Sequence, residues 1–144
     1  MSERLKSGST INQVMTRVPE VVSPELPLND AWSRMRSERL GHLPVVRNGK
    51  LIGLLSERSV RLAASYEGSA RMKVTDAMVS EPFVVSPDAP LFEVCAQMAT
   101  QRIGSVVIVD AGRVPLGIFT AQDALRILSE ILGEQRRPAG KSAA

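Results

Sequence analysis

The sequence predicts an α/β (α+β) fold in which two units of β-α-β-β-α order pack with pseudo-twofold symmetry. Three observations predict it. The 144-residue chain repeats itself once, with Met15, Pro19, Val22, Ser23, Pro24 and Leu28 recurring as Met78, Pro82, Val85, Ser86, Pro87 and Leu91. Within each copy, short continuous apolar runs alternate with apolar residues at helical spacing. A hydrophobic content of 44% in a chain of this length is enough for one compact domain with a real core. The repeat takes precedence over any local motif. Two copies are too few for a solenoid, so a symmetric pair is the simpler arrangement.

Taken in order, residues 1–10 lack an apolar pattern and read as a flexible N-terminus. The first unit spans 11–66, a linker 67–73, and the second unit 74–134. Each unit opens with a short helix, "INQVM" or "KVTDAM". A brief strand follows, "EVV" or "FVV", and stops at Ser-Pro, because the residue before proline is pushed out of the helical region. Pro27 and Pro90 stand where a helix can begin, since its first turn does not need their missing amide donor. The helix from Leu28 to about Arg39 carries Leu28, Ala31, Trp32 and Met35 on one face. Its twin carries Leu91, Val94, Cys95 and Met98. Both sets read as packing residues. Two strands follow, "HLPVV" and "LIGLLS", joined at Asn48-Gly49, a strong hairpin signal. The second copy has "SVVIV" and "PLGIF" around Ala111-Gly112. A closing helix ends each unit. The second runs from about Ala121 to Leu132, with Ala124, Leu125, Leu128, Ile131 and Leu132 as an apolar stripe. Arg136, Arg137 and Lys141, among Pro138, Gly140 and Ser142, mark 135–144 as a disordered basic tail.

Composition excludes several classes. The net charge of +3 is scattered, and aromatics are 3%, so neither a basic stripe nor base-stacking side chains point to nucleic acid. No apolar run approaches the roughly 18 residues of a membrane span. The opening "MSERLKSGST" has no apolar signal-peptide core. Cys95 is the single cysteine, which removes an intrachain disulfide and a thiolate zinc cluster. With no flanking cation to lower its pKa, it is not a reactive thiol. A cytoplasmic location is expected. One His, one Cys, no phosphate loop, no dinucleotide fingerprint and no nucleophile–base set indicate that the chain is not an enzyme.

The two copies differ most at their closing motifs, "GLLSERSVR" and "GIFTAQDAL". One extra residue near Pro115 brings Gly53 into line with Gly117, Ser56 with Thr120, and Ser59 with Asp123. Thr120 and Asp123 lie one helical turn apart on one side. That spacing builds a capping box, in which Thr120 caps the helix and Asp123 reaches back. The same pair suits a ribose, whose adjacent hydroxyls donate two hydrogen bonds to a carboxylate. Free amides at the helix start suit an anionic group. Spacing alone favours the cap, and Thr120 can serve both. His42 precedes one central strand and Ser105 the other. A lone histidine near a turn is more often structural than a ligand contact, but one that faced a ligand would titrate near neutrality. Arg39 and Arg102 close equivalent helices, where a cation complements the helix dipole.

The element order, the repeat length and the closing motifs resemble the CBS domain family, and two in tandem resemble a Bateman module. "MT…P…VVSP", "GHLPVV…G" and "GIFTAQD" carry the resemblance, which runs from Ile11 to Leu132. It implies two small sheets packed face to face, with adenosine-type ligands in clefts between the units and no chemistry on the ligand. It places Thr120 and Asp123 on the ribose. Because such a cleft joins the end of one repeat to the beginning of the other, Thr16 would share the site. Val21 and Ile118 would line it, Gly41 would be among its ligand-binding residues, and His42 and Ser105 would approach the phosphate. The second cleft would be weaker, with Ser56, Ser59 and Val84, and with Val79 where the first has Thr16. The function implied is a stand-alone regulatory or sensor module binding AMP, ADP or ATP, with S-adenosylmethionine and NAD in the same ligand class. No cofactor is required. A structural dimerisation or protein-interaction module with empty clefts is the alternative. The expected partners are a second copy, joined through helices, and a regulated protein, with no membrane and no nucleic acid.

Overall fold

A computed structural model describes residues 5–18 and 20–136. The first unit contributes β1 (Thr16–Arg17), α1 (Leu28–Glu38), β2 (His42–Arg47), β3 (Lys50–Ser56) and α2 (Glu57–Ala64). The second contributes α3 (Val74–Ala77), β4 (Val79–Ser80), β5 (Val84–Val85), α4 (Leu91–Gln101), β6 (Ser105–Val109), β7 (Pro115–Thr120) and α5 (Ala121–Gln135). The predicted mixed α/β fold is therefore present, with two sheets ordered β1-β7-β6-β5 and β2-β3-β4.

The sheet order reveals a reciprocal exchange. β1 starts the first unit but pairs antiparallel with β7 of the second, matching Thr16 with Ile118 and Arg17 with Gly117. β4 starts the second unit but pairs with β3 of the first, matching Gly53 with Ser80 and Leu54 with Val79. The "EVV" and "FVV" segments stay at home: Val22 bridges Val45 in parallel, and β5 runs parallel to β6. The opening helical turns exchange as well. Ile11 is buried in the second core, with Val94, Val106, Phe119 and Ile127, whereas Val74 is buried in the first, with Leu28, Met35, Leu43 and Leu55. Glycine makes the exchange possible. A Cβ on Gly117 would stand 2.5 Å from the Met15 Sδ and 2.9 Å from the Thr16 carbonyl oxygen. Gly53 meets Met78 and Val79 in the same way.

Strand alternation divides the remaining core. In β6, Val106 and Ile108 face the helices, while Val107 and Val109 meet Leu51 and Leu54 of β3 in a third cluster between the sheets. Burial on both faces explains the unbroken apolar run "VVIV". The β2–β3 turn holds Asn48 at φ 54° and Gly49 at φ 78°, as the type I′ hairpin signal requires. The β6–β7 loop departs from its sequence signal. Its left-handed residue is Arg113 (φ 64°), not Gly112, because the Asp110 carboxylate accepts from the amides of Gly112 and Val114 and holds a longer loop.

Several expected bounds shift. Residues 5–10, grouped above with a flexible terminus, pack on the second unit: Ser9 is buried, its carbonyl accepts from the Leu91 amide, and Leu5 lies against the core. The linker also packs, since the Met72 carbonyl accepts from the Leu28 amide. α5 continues to Gln135, and the remainder of the expected tail, 137–144, lies outside the described residues. Its apolar stripe splits in two. Ala124, Ile127 and Ile131 face the core, whereas Leu125, Leu128 and Leu132 remain 61%, 49% and 50% exposed. No helix among the described residues is long and apolar enough to cross a membrane.

Candidate functional site

The strand exchange brings the first unit's beginning against the second unit's end, and a cleft of about 260 Å³ opens at that seam. β1 supplies Thr16 and Arg17 to its wall. β7 supplies Ile118 and Thr120, and the first turn of α5 supplies Asp123. The opposite wall is the corner between α1 and β2, with Arg39, Gly41 and His42. Six of the expected residues, Thr16, Gly41, His42, Ile118, Thr120 and Asp123, thus converge on one cleft.

Thr120 and Asp123 do form a capping box. The Asp123 Oδ2 accepts from the Thr120 amide at 2.9 Å, and the Thr120 Oγ1 accepts from the Asp123 amide at 3.2 Å. The carboxylate has a second partner besides the cap. The side chain is 14% exposed and borders the cleft, and its Oδ1 accepts from the Arg126 guanidinium at 3.1 Å. His42 sits close enough to feel the Asp123 charge. Burial pushes the imidazole pKa below its ordinary value, and the neighbouring carboxylate partly offsets that shift.

Two expected residues lie elsewhere. Ser105 starts β6 opposite Thr120, but it is the repeat partner of His42, so the pseudo-symmetry assigns it to the other cleft and not to this wall. Val21 precedes the buried Val22, faces the other way by strand alternation and is 38% exposed; it does not line the cleft. The equivalent group in the first unit is closed on itself. The Ser56 and Ser59 side chains hydrogen-bond each other at 3.1 Å, each accepts from the other's amide, and the Ser59 hydroxyl also donates to the Ser56 carbonyl. Val79 is exposed, and Val84 pairs with Val107 and packs between the sheets.

Arg17 and Arg39 were not read from the sequence as cleft residues, yet both line it. Arg17 had a signal: its repeat partner is Ser80, the same kind of asymmetry that separates Thr16 from Val79. Arg39 had none, because it repeats as Arg102. Its place follows from the left-handed residue that ends α1, where φ is 56° and the chain turns directly into the cleft wall. Beside Asp123, two arginines and a histidine thus line the cleft. Among the described residues, no group of three or more His, Cys, Asp or Glu is placed to hold a metal ion.

Comparison with known proteins agrees with this architecture. The family profile of the CBS domain matches residues 11–66 and 74–130. The chain is 31% identical over 116 residues to the CBS domain-containing protein YhcV of Bacillus subtilis, covering 80% of this chain and 82% of that one. It is 28% identical over 125 residues to the inosine-5′-monophosphate dehydrogenase of Thermoplasma acidophilum, covering 87% of this chain but only 24% of that protein. Among solved structures, the CBS domain pair of protein MJ0100, in complex with 5-methylthioadenosine and S-adenosyl-L-methionine, superposes with a TM-score of 0.74 at 21% identity, over 85% of this chain and 97% of that one. CBSX2 in complex with AMP superposes with a TM-score of 0.73 at 23% identity, over 86% and 98%.

Proposed function

The chain belongs to the CBS domain family, and on that premise we propose that it is a regulatory module that binds an adenosine-type ligand, foremost an adenine nucleotide, in the cleft between its two units. One observation carries the reading: Thr16, Thr120 and Asp123, the hydroxyl and carboxylate chemistry that suits a ribose, meet in a single cleft with His42, Arg17 and Arg39. The carboxylate takes the diol. The guanidiniums and the imidazole complement phosphate, which ranks AMP, ADP and ATP above the cationic sulfonium of S-adenosylmethionine. The ligands named for CBSX2 and the MJ0100 pair support the same class. The ligand is bound and released unchanged, and the reading gives the chain no catalytic role. The response passes to a regulated protein through the bound and free states of the cleft. Adenine nucleotides and a lone thiol both fit the cytoplasm, and we place the module there.

Thermal-shift titration with AMP, ADP, ATP, NAD and S-adenosylmethionine tests the reading. A ligand at about 100 times its dissociation constant adds roughly 2.7 kcal/mol of stability, a rise of several degrees. The expected result is such a rise with the phosphorylated ligands and a smaller one with S-adenosylmethionine. No shift with any of the five would refute it.

A further inference from the structure

Resting on the ribose reading of the cleft, we propose that Arg126 is a positioning residue that holds the Asp123 carboxylate so that each oxygen keeps one lone pair open toward the two hydroxyls of a ribose. An ionised carboxylate offers about four lone-pair directions, two on each oxygen. In this chain Oδ2 gives one to the Thr120 amide at 2.9 Å, and Oδ1 gives one to the Arg126 Nη1 at 3.1 Å. Two directions remain, one per oxygen, which equals the number of donors on a cis-diol.

The pair is not an ordinary surface ion pair. Exposed pairs on a helix contribute little, because both side chains stay free to wander. Here Asp123 is 14% exposed and already tied by the helix cap, while Arg126 is 55% exposed. The guanidinium therefore removes the last rotation of a carboxylate fixed at its other oxygen. A group held in its bound geometry loses less freedom on binding and binds more tightly. The first unit supplies the internal control. Its aligned residues are Ser59 and Leu62: the Ser59 hydroxyl accepts from the Ser56 amide and donates to the Ser56 carbonyl, and Leu62 is 62% exposed with no charge to orient anything. The carboxylate at the cleft and the arginine bonded to it one helical turn further along α5 are both missing from the equivalent positions of the first unit.

The test is calorimetric titration of the full chain with AMP and with 2′-deoxy-AMP, for the parent, Arg126→Ala, Arg126→Gln, Asp123→Ala and the Asp123→Ala/Arg126→Ala double variant. Arg126→Ala should weaken AMP about 3- to 10-fold and leave 2′-deoxy-AMP nearly unchanged, because the deoxy ligand makes no bidentate contact. Arg126→Gln, which can still donate to Oδ1, should recover part of the loss. In the Asp123→Ala background, Arg126→Ala should have no further effect on either ligand. Equal weakening of both ligands with a lower melting temperature would make Arg126 merely structural and overturn the proposal. Tighter AMP binding by Arg126→Ala would make the arginine a competitor of the diol and also overturn it. If Asp123→Ala binds AMP like the parent, or the parent does not bind AMP, the ribose reading itself fails. If Asp123→Ala loses AMP but Arg126→Ala does not, only the positioning role fails.

Discussion

Asp123 and His42 line one cleft, and the histidine is the group there that titrates near neutrality. Burial lowers the His42 pKa in the folded chain relative to the unfolded one. Between the unfolded value, near 6.5, and the lower folded value, the unfolded chain binds the extra proton and the folded chain does not. The stability associated with neutral His42 is therefore fully present above pH 6.5 and is lost as pH falls through that window. Melting temperatures from pH 8 to pH 5 should fall more steeply for the parent than for His42→Gln, whose side chain does not titrate; parallel curves would contradict the burial of a neutral imidazole. A bound phosphate acts in the opposite direction, because it favours the imidazolium, so AMP should raise the His42 pKa, read from its imidazole proton resonances, while adenosine should not. At this scale the sequence was informative where the two repeats differ. Thr16 against Val79 and Asp123 against Ser59 are visible in an alignment of the chain with itself. Arg39 was hidden because it repeats, and Ser105 was misplaced because the repeat partner of a cleft residue belongs to the opposite cleft.

The short strands β1 and β4 carry the exchange that builds the cleft, and each is two residues long. Two residues have no period, so nothing in the pattern of apolar positions marked them as strands. The longer elements were legible: α1, α4, β2, β3, β6 and β7 follow their spacing, their hairpin residues and their prolines. The division of the α5 stripe was not, since Leu125 and Leu128 satisfy a helical period equally well whether they face a core or water. The glycine opposite β1 gives a direct test of the exchange. In Gly117→Ala the new methyl would sit 2.5 Å from the flexible Met15 sulfur, but also 2.9 Å from the Thr16 carbonyl, which cannot yield without moving the strand. Overpacking of this kind costs about 1–3 kcal/mol. Chemical denaturation should show that loss, and AMP binding should weaken because Thr16 moves with its backbone. Gly41→Ala, where a Cβ meets nothing within 4 Å, should leave stability near the parent's. Equal stability of Gly117→Ala and the parent would contradict the close approach of β1.

At the scale of the whole molecule, the two units are alike in core and unlike in surface and site. Leu125, Leu128 and Leu132 form an exposed apolar row on α5, and we propose that a second copy covers it through a symmetric helical interface. Light scattering at micromolar concentration should give twice the chain mass for the parent and the chain mass for Leu128→Lys; a monomeric parent would contradict the dimer. The two clefts differ in chemistry, because the first unit closes Ser56 on Ser59 where the second places the Asp123 carboxylate beside Thr120. Asp123→Ser isolates that difference. A serine there can accept from the Thr120 amide as Ser59 accepts from the Ser56 amide, so folding should be preserved while the carboxylate is removed. The most direct measurement is calorimetric titration of AMP into the parent and into Asp123→Ser, with melting temperatures recorded alongside. One AMP per chain for the parent, a loss of about 30-fold or more in Asp123→Ser, and equal melting temperatures are predicted. Two equivalent sites per chain, or undiminished binding by Asp123→Ser, would contradict the account.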